Sequence, residues 1–367
     1  MKSPLLALAA LAFASHALTA EIDTDRSATK LNTLSLSLSM NRGFPADVSG
    51  EWPLDPGTSE LRVRPTTERP VPSTSGAFRT VCNVAALGFN DPIVYWGEPW
   101  KSHLHTFVGN TGIDAFSTPE TLRASGNSTC RGGIFNRSAY WVASLLDMRT
   151  MRPVLPDAFS IYYKSGDFNT NGGADGRSVK GVFTPWQPPV KFHDMPKGLR
   201  MIAGNPSRST PLTSSEDFTF RWKCSGADPK YGSAIPDCPV GTVLYQEVFF
   251  PQCWDGKNLD SPDHRSHMHY GVSVPNPGDP RNWSHRECPA SHPVVLPKVS
   301  FEISFNVTET TKYWRLVSDA YATTKPAGYS SHGDWFGAWL EQPWRAGCVS
   351  ANKDCHSHLL GDGRELY

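Results

Sequence analysis

Glycine and proline interrupt this chain so often that a helical bundle is excluded. Its 367 residues include 30 glycines and 31 prolines, and each can end a helix or break a strand ladder. Between these breaks, short runs rich in β-branched and aromatic residues recur at 93–96, 103–108, 159–163, 218–222, 244–250 and 299–307. Strand-length runs bounded by turn residues, with no internal repeat, predict a mainly β fold. The expected form is a sandwich or jelly-roll-like single domain with long loops and few short helices. One helix start is clear: Thr118 as N-cap, Pro119 at the first helical position, Glu120 in the first turn and Gly126 as the stop. A second short helix is predicted over 138–147.

Lys plus Arg and Asp plus Glu number 35 each, so the formal charge is zero. A protein built to grip phosphates carries a basic excess, so no nucleic-acid partner is expected. The first twenty residues read as an export signal: Met1-Lys2, an apolar run over 4–14, then small residues that allow cleavage after Ala17 or Ala20. The run is shorter than the roughly 20 apolar residues that cross a bilayer, so no transmembrane anchor is expected. The mature protein is expected to be secreted or periplasmic. Residues 21–76 form a Ser/Thr/Pro-rich leader whose 65–75 stretch reads as a solvated linker, with a cell-wall tether as the sharper alternative. The β-rich domain is then expected over 77–345, followed by a solvated tail over 346–367.

All eight cysteines follow the signal, and no C-x-x-C pair occurs. In an oxidising compartment Cys82, Cys130, Cys224, Cys238, Cys253, Cys288, Cys348 and Cys355 should form up to four disulfides, from about a hundred connectivities. Short loops favour Cys224–Cys238 and Cys348–Cys355, which leaves Cys253–Cys288 and Cys82–Cys130. Sequons at Asn127, Asn136, Asn282 and Asn306 mark surface positions if the host glycosylates them.

Eleven of the twelve histidines lie beyond the signal, and they cluster. In Ser102-His103-Leu104-His105, a strand would turn both imidazoles to one face while Leu104 enters the core. Sheet metal sites present ligands in this way. A second cluster spans 255–269 and holds three aspartates, among them Asp255, together with His264, Arg265, His267 and His269. A polar loop on a rigid scaffold is where sites usually lie. The third is Ser331-His332-Gly333-Asp334-Trp335, where His332 and Asp334 suit a ligand and its carboxylate partner, or a base and its orienter. His193, His292, His356 and His358 read as structural or exposed. No nucleophile elbow, zincin helix, P-loop or dinucleotide fingerprint occurs. A glycosidase pair would have to come from Asp91, Asp255, Asp260, Asp263, Asp334 or Glu341, and spacing does not choose among them.

Several blocks resemble the secreted domain-of-unknown-function nineteen-ninety-six family. They are 91–94, 102–110, 125–130, 136–141, 198–204, 250–257, 261–268 and 288–294. The resemblance runs from about Phe78 to Trp344. Some relatives carry wall-binding or carbohydrate-binding modules, which implies an extracellular polysaccharide partner. The chain departs from the pattern at His269, and it lacks an Asp after Trp339.

These observations lead to an expected secreted carbohydrate-active enzyme with a histidine-rich site, working by β-elimination or metal-assisted hydrolysis. Candidate catalytic residues are His105, His267, His332, Asp334, Arg265 and Tyr140. A histidine or Tyr140 would remove the α-proton, and Arg131, Arg137, Arg265 or a metal would offset the enolate charge. Candidate metal ligands are His103, His105, His267 and His332, holding zinc, copper or manganese. Candidate substrate contacts are Arg137, Trp141, Trp254, Asp255, Lys257 and Trp335. The alternative function is a non-catalytic secreted glycan- or metal-binding protein.

Overall fold

Alternation along the strands sets the architecture. In 298–306, Val299, Phe301, Ile303 and Phe305 are buried on one face while polar neighbours point away, the pattern of a strand with one face on a core. The structure, a computed structural model, describes residues 54–73, 76–166, 190–213, 218–226, 228–275, 284–342, 344–355 and 358–367. The expected signal peptide, the expected leader up to residue 53, Asn282 and His356 lie outside the described residues.

Twelve strands form two sheets. The first six are β1 (Val71–Pro72), β2 (Ala77–Cys82), β3 (Val84–Gly88), β4 (His105–Gly109), β5 (Ala139–Ala143) and β6 (Ala158–Lys164). The rest are β7 (Arg200–Gly204), β8 (Phe220–Cys224), β9 (Val243–Phe249), β10 (Lys298–Asn306), β11 (His332–Phe336) and β12 (Lys353–Cys355). One sheet has the order β7-β11-β5-β4-β3 and the other β8-β9-β10-β6-β2-β12-β1. All pairs are antiparallel except β12 with β2. The inner faces meet as a sandwich. Tyr140 packs edge-on against Phe301 with ring centroids 5.9 Å apart, and Trp335 Nε1 donates to the Tyr163 hydroxyl at 3.0 Å. Gly333 is small where the Phe301 ring lies beneath it: a Cβ there would sit 3.1 Å from that ring.

The outer face of the five-stranded sheet is also covered. Helix α1 (Pro119–Ala124), capped by Thr118 as expected, and the 90–102 loop lay Leu122 and Ile93 over Phe107, Trp141, Ile202 and Phe336. Strands β4, β5 and β11 are therefore buried on both faces. This explains one correction: 138–147 contains β5 and a further strand, Leu145–Asp147, not a helix. The segment 93–96 is a turn, not a strand.

Cys224–Cys238 and Cys348–Cys355, the pairs that short loops favoured, are formed, and the four remaining cysteines pair as Cys82–Cys130 and Cys253–Cys288. The linker and tail differ from expectation. Val63–Pro65 pairs with Arg364–Leu366, β1 pairs with β12, and Leu360 and Leu366 are buried. The two chain ends thus cover the core together, which removes apolar tail residues from water. Among the described residues no helix is long and apolar enough to cross a membrane. Asn136 is fully buried and its amide bonds the Tyr140 hydroxyl, so that sequon is interior.

Candidate metal centre

Three imidazoles meet at one end of the outer face of the five-stranded sheet. His105 opens β4 and pairs with Ala143 of β5. On the other side of β5, His332 opens β11, one position beyond the Gly333–Val142 pair. His103 stands just before β4, and Leu104 is buried in the main core as the alternation demanded. The ring centroids of His103 lie 4.3 Å from His105 and 5.0 Å from His332. One ligand nitrogen from each residue lies within 4.8 Å of the other two. Nitrogens bound to one tetrahedral zinc are about 3.3 Å apart, so the widest pair must close by at most about 1.5 Å.

The second nitrogens fix the tautomers. His105 Nδ1 lies 2.9 Å from the Asn90 carbonyl, and His332 Nδ1 lies 2.8 Å from the Ser330 carbonyl. A carbonyl only accepts, so each Nδ1 carries the proton and each Nε2 presents its lone pair to the cluster. His103 Nε2 lies 3.1 Å from His332 Nε2. His105 Nε2 is buried without a partner. The Ser330 carbonyl is held in turn by Asp319, which is fully buried and accepts from the Ser330 N–H and hydroxyl.

Burial keeps the three rings neutral. It lowers the His105 pKa to about 4 against a weaker upward pull from the Asn90 carbonyl. It also lowers His332 to about 3, with His105 adding to the effect. His103 falls well below the usual value through burial, then through His105 and His332. Neutral imidazole is the form that binds metal. Beside the rings, burial pushes the Asp334 carboxyl well above the usual range, and Asp91 adds to this while Arg265 opposes it. Asp334 Oδ2 is a second buried atom without a partner. Asp91 is buried too, accepting from the Ile93 and Val94 N–H groups. Buried atoms without a partner occur elsewhere among the described residues too, but His105 Nε2 belongs to the cluster itself, where a metal ion would satisfy it.

The other candidates separate from the site or serve it indirectly. His267 is buried, but both ring nitrogens are engaged, with Ser261 Oγ at 2.9 Å and the Arg200 carbonyl at 2.7 Å; it is a strut rather than a fourth ligand. Arg265 donates to the Gly204 carbonyl at 2.7 Å, next to β11. His264 and Arg200 share the Asp260 carboxylate. Tyr140, Trp141 and Trp335 are fully or almost fully buried, so none can touch a polymer: Tyr140 and Trp335 face the sandwich core, and Trp141 faces the smaller core. Arg137 is spent on the Gly126 and Arg123 carbonyls. In the 255–269 loop, Asp255 caps Lys257 and Asn258, and Trp254 Nε1 donates to the Asn258 carbonyl. Lys257 is exposed there. Glu341 is paired with Arg364. A second His and carboxylate group, Glu68, His358 and Glu365, lies near the surface where the chain ends meet, and its members satisfy one another and Arg64.

Sequence reasoning missed Asn90, Ser330 and Asp319. The first two act through main-chain carbonyls, which every residue type carries.

The chain from residue 91 to residue 339 matches the family described as a domain of unknown function, DUF1996. No curated protein and no solved structure shows significant similarity to the chain. With the match spanning most of its length, the chain belongs to this family.

Proposed function

We propose that this chain is a secreted metalloenzyme that hydrolyses extracellular carbohydrate, with His103, His105 and His332 as the metal ligands. The observation that carries the reading is the convergence of three neutral imidazoles, two of them oriented by carbonyls. Three protein ligands leave a fourth position for water, whose pKa a bound zinc lowers to about 7. An all-imidazole set suits zinc or copper better than manganese, which prefers oxygen. Asp334, buried two positions along β11 from His332, is the group that could exchange a proton with that water. Hydrolysis is favoured over β-elimination because Tyr140 is committed to interior bonds and imidazoles that hold a metal are not free to act as the base that removes an α-proton. Export is supported by the N-terminal signal pattern and four disulfides.

The test is elemental analysis of exported protein purified without a polyhistidine tag or chelators. About one equivalent of zinc or copper is expected, lost in His105→Ala and His332→Ala with near-UV circular dichroism retained. Protein that holds neither metal and takes up neither when offered would overturn the reading.

A further inference from the structure

The loop that delivers His103 also carries the two exposed tryptophans found among the described residues. Between Asp91 and His103, the side chains of Trp96 and Trp100 are 55% and 56% exposed. Among the other described tryptophans, Trp254 is partly buried and Trp141, Trp222, Trp314, Trp335, Trp339 and Trp344 are buried. Indoles bury large apolar areas, so two left in water on one loop are costly unless something covers them. Phe116, 54% exposed, joins them, because the Gly97 N–H bonds the neighbouring Ala115 carbonyl at 2.8 Å.

The loop is held, not loose. The Asp91 carboxylate caps its first turn, the Tyr95 N–H bonds the Asp91 carbonyl, and the Ser102 N–H bonds the Phe89 carbonyl. Trp100 sits at φ 68°, a left-handed conformation that a bulky side chain avoids and that persists only where its surroundings enforce it. The strain is spent on an indole that faces solvent. Such strain collects at ligand-holding positions.

From these observations we infer that Trp96 and Trp100, with Phe116 at the edge, are the stacking platform for a neutral pyranose polymer that leads into the metal centre. The inference rests on the carbohydrate reading above and supplies its substrate class. Sugar rings present flat C–H faces, and indole faces are their apolar complement. The two tryptophans are four residues apart, so their Cα atoms are at most about 14 Å apart, the span of two or three sugar units. Trp100 lies three residues from His103, within about 11 Å along the chain. The loop's own charges cancel: Lys101 pairs with Glu98 at 2.5 Å. Nothing there selects a polyanion, which makes the substrate neutral. The stacking role expected of Trp141, Trp254 and Trp335 thus moves to residues 96 and 100.

The test is affinity electrophoresis of the full chain in gels containing laminarin, hydroxyethylcellulose or polygalacturonate, with titration calorimetry for affinity. Retardation by a neutral glucan is expected, weakened at least about tenfold in Trp96→Ala and again in Trp100→Ala. The His103→Ala/His105→Ala variant should still bind. Both indoles are exposed, so the tryptophan variants keep their fold, checked by near-UV circular dichroism and metal content. Absence of binding to either neutral glucan, preference for polygalacturonate, or unchanged binding in the double tryptophan variant would overturn the inference. Tryptophan-dependent binding by a protein that holds no metal would overturn the metal reading instead and leave this one standing.

Discussion

At the level of single residues, the centre exists because small side chains let longer ones meet. His105 and His332 stand on strands that flank β5, about 9–10 Å apart at the backbone, and the residue paired with His105 between them is Ala143. Gly204 does the same work on the other side of His332, its partner in register. At φ +77°, a Cβ on Gly204 would lie 2.2 Å from the Ser331 carbonyl oxygen and 2.7 Å from His332 Cα. Gly204→Ala should therefore push β11 away, costing about 1–3 kcal/mol and weakening metal binding although every ligand is present. A thermal melt and a zinc titration check it; wild-type values in both would show that β11 tolerates displacement. The H-x-H spacing made His103 and His105 legible as a pair. That His332 joins this pair with a free Nε2 while both ring nitrogens of His267 are engaged depends on where distant segments put the Ser330 and Arg200 carbonyls.

At the scale of elements, the four disulfides differ in what they constrain. Cys82–Cys130 closes a sequence separation of 48 and ties the end of β2 to the loop that precedes β5, whereas Cys348–Cys355 closes only 7. Loop-closure entropy assigns about 4 kcal/mol to the first and about 2 to the second. Removing each pair by Cys→Ser substitution should lower the urea midpoint more for Cys82/Cys130 than for Cys348/Cys355, with an m-value that rises as the freed denatured chain expands. The reverse order would mean that native strain or residual denatured structure, rather than chain entropy, dominates. Strands β6, β8, β9 and β10 of the seven-stranded sheet and the Thr118-capped helix could be read from strand-length runs and caps, whereas β1 and β12 lie in stretches that read as linker and tail. Strand β5 could not. With both faces covered it loses the period of two, and a continuous apolar run such as Ala-Tyr-Trp-Val-Ala fits a helix as well.

At the scale of the whole molecule, the sandwich interior contains a tyrosine pair that contributes to loss of stability at alkaline pH. The Tyr140 and Tyr163 hydroxyls lie 3.1 Å apart, and Trp335 and Trp339 both donate to Tyr163. Burial raises both pKa values, Tyr163 most, with Tyr140 adding to it. The unfolded chain releases these protons near pH 10 while the folded one keeps them, so stability is intact below about pH 10 and falls as pH rises beyond it. Tyrosinate absorbance should show these two groups titrating only as circular dichroism is lost. If all 11 tyrosines ionise while the native spectrum persists, the pair is not interior. The same global packing decided the site. Sequence alone determined the properties carried by local pattern: a β-rich chain, cysteines suited to four bridges, and histidines in i, i+2 pairs. Which histidines converge, which tryptophans reach water and how the two chain ends close over the core are set by sheet order and register. Those depend on contacts between residues far apart in the chain, and no local spacing encodes them.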